Sequence, residues 1–286
     1  MISTDKIRSI RSGVLIVGHG TRDPAGRAEF QQTVDAVRLR LAEPAEGCFL
    51  ELAEPDIAVG VQRLVTAGVR QIVALPLLLF AAGHAKQDIP AALAAAAEAQ
   101  PGVTIWQADS LECHRAILQA SAEQFRAALR AAAQGAGNDR SRALDEAENI
   151  HWLLVGRGSS DPTAIEKVRQ FAAARLALTP GIRASVAFVA AAQPRLPVEL
   201  ARLATSSARR IVVQPHLLFY GEVLREIVAA VEAAARFAEA NQAGGPNGGV
   251  APRWHVTAHL GPSDLLVEAV LDRIAAARIP SNLASR

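Results

Sequence analysis

Four side chains able to bind a metal or move a proton recur at similar intervals in the first half of the chain: His19, Glu51, Glu54 and His84. A neutral imidazole ligates divalent first-row metals and also accepts protons, and a carboxylate extends the same donor set. Two imidazoles and a carboxylate form an incomplete shell, short of the fourth ligand of a closed structural site. Such a shell suits a metal that is passed on or that polarises a substrate. Each residue also has a plainer reading. Gly18-His19-Gly20 reads as a solvated turn, His84 as a loop cap, and Glu54 before Pro55 as turn chemistry. Glu51 between Leu50 and Leu52 reads as a buried strand-end carboxylate, which needs a partner or a proton.

The elements around these residues decide whether they can meet. Gly13 to Gly18 is a short apolar, β-branched run and predicts a fully buried strand. A helix follows, with Phe30, Val34, Val37 and Leu41 at helical spacing. Cys48–Leu52 predicts a second strand, and a helix after Glu54-Pro55-Asp56 runs to about Ala67, closed by Gly68. Gln71–Leu78 predicts a third strand, Asp88-Ile89-Pro90 a helix start, Val103–Ala108 a fourth strand and Glu112 to about Ala133 a long helix. Strands alternating with helices at this spacing predict an α/β fold with a mostly parallel sheet covered on both faces. Ligands of such sheets bind beyond the carboxyl ends of the strands. His19, Glu51, Glu54 and His84 all fall on that edge.

The pattern then restarts. Trp152 to Gly156 repeats the first strand, Phe188 to Pro194 repeats Phe49 to Pro55, and Arg210 to Leu218 repeats the third strand. Pro55 to Pro76 and Pro194 to Pro215 both span 21 residues, and the copies keep an offset of 138 to 139. This is a duplicated domain, since the period is too long for a solenoid. The expected division is 1–137, carrying the site, and 150–286, with 138–149 as linker. A Gly- and Asn-rich insertion at 241–249 lengthens the last loop of the second copy. At the positions of His19, Glu51, Glu54 and His84 the second copy has Arg157, Ala190, Gln193 and Glu222. The framework is repeated and the functional groups are not, which assigns the chemistry to the first half. His216, inside an apolar run, reads as a satisfied core histidine. His114, His151, His255 and His259 read as surface or strand-end residues.

Bulk properties narrow the function classes. A net charge of +2 argues against nucleic acid as a partner. Two cysteines, Cys48 and Cys113, exclude a disulfide framework and a four-cysteine metal site, and point to reduced thiols in the cytoplasm. No apolar run is long enough to span a membrane, and the first twelve residues lack the apolar core of a signal peptide.

The set Gly18-His19-Gly20-Thr21-Arg22, Glu51-Leu52-Ala53-Glu54-Pro55, Leu75 to Leu79 with Gly83-His84, and Asp88-Ile89-Pro90 resembles the sirohydrochlorin chelatases of the long CbiX/SirB type. The resemblance covers nearly the whole chain. It implies two tandem chelatase-like domains with the active cleft between them, and ATP-independent insertion of Co2+ or Fe2+ into sirohydrochlorin for cobalamin or sirohaem. The metal is then a substrate, with no permanently bound cofactor. It further implies His19 and His84 as metal ligands, His19 also as proton acceptor, and Glu51 as the third catalytic group. Glu54, Leu79, Phe80, Ala81, Ala82 and Gly83 are implied as tetrapyrrole contacts. Arg22, Arg157 and Arg195 are expected to hold substrate carboxylates. The chain lacks the histidine-rich or cysteine-bearing tail of some cobalt-type members, which leaves the metal open. The duplication predicts a monomer, one half standing in for a two-fold partner. A rival reading is a metal or tetrapyrrole carrier of the same fold. A histidine phosphatase is disfavoured, because residue 18 is glycine where that chemistry wants an arginine.

Overall fold

The computed structural model describes residues 11–80, 85–134, 149–241 and 250–278. His84, with Ala81, Ala82 and Gly83, lies outside them, as do most of the expected linker and of the 241–249 insertion.

The first half folds as β1 (Arg11–Gly18), α1 (Pro24–Arg38), β2 (Ala45–Phe49), α2 (Ile57–Thr66), β3 (Val69–Pro76), α3 (Ala85–Glu98), β4 (Thr104–Gln107) and α4 (Arg115–Gln134). The second folds as β5 (Ile150–Gly156), α5 (Pro162–Leu176), β6 (Arg183–Phe188), α6 (Leu196–Ala204), β7 (Arg210–Pro215), α7 (Glu222–Ala240), β8 (Arg253–Val256) and α8 (Asp264–Arg278). Each sheet is wholly parallel, in the orders β2-β1-β3-β4 and β6-β5-β7-β8.

The central strands explain the apolar runs. Val14 to Val17 are completely buried because β1 is covered on both faces. Side-chain alternation sends Leu15 and Val17 into a core of the first half's own, beneath α2 and α3, and Val14 and Ile16 into a second core. In β5, Leu153 and Val155 likewise face a private core while Trp152 and Leu154 turn the other way. The second core is the same one for both sheets: Val14, Ile16, Trp152 and Leu154 belong to a single cluster that joins the halves. Burying a large apolar side chain contributes about 1.5–3 kcal/mol, so the side chains of this shared core hold the two sheets together by the same burial that each private core uses within its own half.

The last helix of each half crosses over. α4 packs on α5 and on β7 and β8 of the second sheet, whereas α8 packs on α1 and on β3 of the first. Polar groups fix the crossing. Trp152 Nε1 donates to Gln214 Oε1 at 2.8 Å, Ser121 Oγ of α4 donates to the same oxygen at 3.1 Å, and Gln214 Nε2 donates to the Ser121 carbonyl at 2.9 Å. The buried Arg175 guanidinium lies 5.3 Å from the Phe125 ring of α4 and 5.1 Å from Trp152. Arg273 of α8 donates to the Leu111 carbonyl at 3.0 Å.

Several elements differ from expectation at their ends. β2 stops at Phe49 because the chain folds back at once: the Phe49 N–H bonds to the Pro55 carbonyl at 2.9 Å, and Leu52 adopts a φ of 64°. Helix α3 begins at Ala85, so Pro90 lies within it rather than at its start. The fourth helix begins at Arg115, since Glu112 has a φ of 49° and bonds back to the Leu79 carbonyl. His151 stands at the start of β5, the strand-end place expected, yet it is buried and no surface residue: Nε2 lies 2.7 Å from Ser185 Oγ, and burial holds its pKa down at about 4. His114 and His259 are also no plain surface residues, each lying beside a carboxylate, Asp272 at 3.4 Å and Glu29 at 3.3 Å.

Candidate active site

The carboxyl ends of both sheets open into one cleft of about 1040 Å3 between the halves. That is at the top of the range usual for drug-sized ligands, about 300–1,000 Å3. Its floor is aromatic and shared. Phe30 of α1 packs on Phe49 at 4.5 Å and meets Phe219 of the second half edge-on at 6.2 Å.

His19 enters the cleft directly after β1. Its carbonyl accepts the Glu51 N–H at 3.1 Å, while the Gly18 carbonyl accepts that of Leu50 at 2.9 Å. These bonds clamp the two post-strand loops together. Gly20 makes the approach possible: it has a φ of +107°, and a Cβ there would stand 1.6 Å from the Glu51 carbonyl oxygen. The side chains of the clamped residues then meet, with His19 Nδ1 3.5 Å from Glu51 Oε1. The plainer reading of Glu51 was a buried strand-end carboxylate. It lies instead in the loop beyond β2, with its side chain 42% exposed, held against His19 by the backbone clamp. A carboxylate on the Nδ1 side favours the proton there and puts the ring's lone pair on Nε2, the state that binds a metal or takes a proton.

Leu79 and Phe80 line the cleft, as do Arg22 and Arg157. Glu54 and Arg195 do not. The Glu54 carboxylate accepts the Asp56 N–H at 3.1 Å, and Arg195 sits at the N-cap of α6. Among the described residues no three His, Cys, Asp or Glu side chains gather into a metal cage.

The second half repeats the clamp without the chemistry. The Ala190 N–H bonds to the Arg157 carbonyl at 2.8 Å, and a Cβ on Gly158 would stand 1.8 Å from the Ala190 carbonyl oxygen. Where His19 faces Glu51, Arg157 faces Ala190. One wall carries an imidazole and a carboxylate; the opposite wall carries a cation. The loop leading to Glu222 is tied to the first half. The Tyr220 N–H donates to Glu29 Oε2 at 2.7 Å, and Arg225 Nη1 donates to Asp23 Oδ2 at 2.6 Å. The Arg225 hydrogen bond holds the Asp23 carboxyl below its usual range. Gly26 of α1 permits this docking, because a Cβ there would lie 2.4 Å from the Tyr220 carbonyl oxygen.

Sequence reasoning missed Arg225, Asp23 and the Glu29–Tyr220 tie. Asp23 signals an N-cap, and it does accept the Ala25 N–H, but its partner lies 202 residues away. His216 was expected as a satisfied core histidine. It is buried, yet neither ring nitrogen has a hydrogen-bond partner among the described residues.

The CbiX family model matches residues 13–128 and 151–277, one block in each half. The chain is 31% identical over 220 residues to the sirohydrochlorin ferrochelatase of Priestia megaterium, covering 77% of both chains. It is 29% identical over 219 residues to the sirohydrochlorin cobaltochelatase of the same organism, covering 75% of this chain and 66% of that one. Among solved structures it resembles SirB from Bacillus subtilis with Fe3+, at a TM-score of 0.76 and 26% identity, over 96% of this chain and 98% of that one.

Proposed function

The chain belongs to the CbiX family, and on that premise we propose that it is a sirohydrochlorin chelatase, inserting Co2+ or Fe2+ into sirohydrochlorin. The observation that carries this reading is the asymmetry of the cleft: His19 beside Glu51 on one wall, Arg157 opposite Ala190 on the other. Metallation removes two pyrrole N–H protons and delivers a dication to the same nitrogens. Charge balances without a nucleotide.

The residues divide this work. His19 and His84 hold the incoming metal. As the metal passes to the macrocycle, His19 Nε2 takes a proton from a pyrrole nitrogen, and Glu51 beside Nδ1 stabilises the imidazolium that forms. Arg22 and Arg157 hold peripheral carboxylates, with Leu79 and Phe80 against the ring. Glu54 acts one step away, by holding the Asp56 N–H in the turn that follows Glu51. We further assign the two halves as domains 1–137 and 150–286, the enzyme as a monomer working in the cytoplasm, and the metal as substrate with no resident cofactor. No helix among the described residues is long and apolar enough to cross a membrane, and Cys48 and Cys113 are free thiols.

The test is anaerobic incubation of purified protein with sirohydrochlorin and Co2+ or Fe2+, followed by absorbance. Insertion well above the spontaneous rate is expected with at least one metal. Tight binding of the tetrapyrrole with insertion at the spontaneous rate would instead identify a carrier.

A further inference from the structure

The loop beyond β2 carries a large apolar side chain that no core uses. Leu52 is the centre of a three-residue turn: the Ala53 N–H donates to the Glu51 carbonyl at 2.9 Å, and Leu52 adopts a φ of 64°. A γ-turn of this hand is rare and strained, and glycine alone adopts it freely. The second half makes the same turn. There the Ala192 N–H donates to the Ala190 carbonyl at 2.7 Å, and Ala191 has a φ of 54°. The clamp accounts for the turn, because the Glu51 and Ala190 carbonyls that it aims are the ones pressed against Gly20 and Gly158. Alanine therefore suffices for the backbone, and the leucine side chain of the first half serves something else.

Leu52 belongs to none of the three apolar cores, whereas Leu50 and Ala53 on either side of it each pack against one. It is 49% exposed and lines the cleft, on the wall that carries His19 and Glu51. A single exposed leucine on a convex surface is ordinary. This one stands in a concave site, next along the chain from Glu51. Its backbone is held from both sides. The Glu51 N–H is bonded to the His19 carbonyl at 3.1 Å, and the Phe49 N–H to the Pro55 carbonyl at 2.9 Å. A rigid turn thus holds bare apolar surface toward the place where a ligand sits.

We propose that Leu52 is a substrate-contact residue, whose side chain packs on the apolar face of the tetrapyrrole macrocycle at the first-half wall. The inference rests on the chelatase reading for the identity of that ligand. Sirohydrochlorin carries its charges on peripheral carboxylates and presents an apolar ring face between them. Leucine surface wetted in the empty protein leaves water when that face arrives, which favours binding. The contact costs little ordering, since the turn and the clamp already fix the backbone. A ring resting on Leu52 also stands at a set distance from His19, because the bond from the Glu51 N–H to the His19 carbonyl joins their loops. Ala191, the counterpart lining the opposite wall, offers a single methyl, so the ring settles toward the half that carries the imidazole.

Leu52→Ala copies the residue of the second half and keeps the turn. It should melt within about 2 °C of wild type, as a half-exposed side chain outside the cores implies. It should bind metal-free sirohydrochlorin, titrated by absorbance, roughly five- to tenfold more weakly, for loss of the buried leucine surface. Equal affinity of wild type and Leu52→Ala overturns the proposal and leaves the chelatase reading standing. Should the variant both melt lower and bind more weakly, thiol labelling decides. Leu52→Cys is made in a Cys113→Ser background, Cys48 being buried, and its reaction with a maleimide is timed with and without metal-free sirohydrochlorin. At about ten times that variant's Kd the ligand should slow labelling roughly tenfold, the fraction of protein left free. Labelling at an unchanged rate shows that the ring does not cover residue 52 and overturns the proposal. If wild type itself fails to bind sirohydrochlorin, this inference and the chelatase reading both fall.

Discussion

His19→Ala is expected to insert metal into sirohydrochlorin roughly 10²–10⁴ times more slowly than wild type, the range for losing a positioned proton acceptor. The loss should fall on kcat, because the imidazole acts on the reacting nitrogens while the carboxylates of the substrate are held elsewhere. His19 stands 3.5 Å from Glu51, so the two form a unit whose losses do not add. Glu51→Gln should cost less than His19→Ala, and the double variant little more than His19→Ala alone. His84→Ala is expected to lower kcat comparably through loss of the second metal ligand. Single-turnover absorbance traces at saturating sirohydrochlorin give these rates. Wild-type rates for both histidine variants would remove the proposed site.

The second large effect concerns the clamp that brings His19 and Glu51 together. Gly20→Ala should destabilise the protein by at least ~3 kcal/mol, combining an unfavourable φ with a backbone collision. The added methyl would lie 1.6 Å from the Glu51 carbonyl oxygen, and only movement of the loop relieves that. For a chain of this size the loss corresponds to a melting point roughly 6–12 °C lower. Gly158→Ala is the internal control, since its methyl would lie 1.8 Å from the Ala190 carbonyl oxygen, in the same clamp of the second half. Both should melt early. Below that temperature only Gly20→Ala should also lose kcat, because only its clamp aligns an imidazole with a carboxylate. Equal kcat in the two variants would show that the clamp is scaffold and nothing more.

Much of this arrangement was legible from residue order. An uninterrupted apolar run such as Val14 to Val17 belongs to a strand covered on both faces, and its repetition at Trp152 to Val155 announced the second sheet. The edge rule for parallel sheets then collected His19 and Glu51 correctly. What escaped was whatever depends on partners distant along the chain. The apolar faces of α4 and α8 fit either sheet equally well, so periodicity could not reveal that each covers the other half's sheet. The Arg225–Asp23 pair is two ordinary surface charges until the fold joins them. The second strand was expected to run to Leu52 because the alternation of Glu51 with Leu50 and Leu52 imitates a strand, whereas β2 ends at Phe49 and Leu52 turns back with a positive φ and lies half exposed. His216 sits in an apolar run, which signals burial correctly and says nothing of whether the ring finds a partner.

The central claim is that the chemistry belongs to the first half, while the second half contributes binding alone, through Arg157. Initial rates of metallation against sirohydrochlorin concentration, for Arg157→Ala beside His19→Ala, test it most directly. Loss of one exposed charge-assisted contact should raise KM roughly fivefold and leave kcat near wild type in Arg157→Ala. His19→Ala should keep KM and lose kcat. If Arg157→Ala instead loses kcat as His19→Ala does, the division of labour between the halves is wrong.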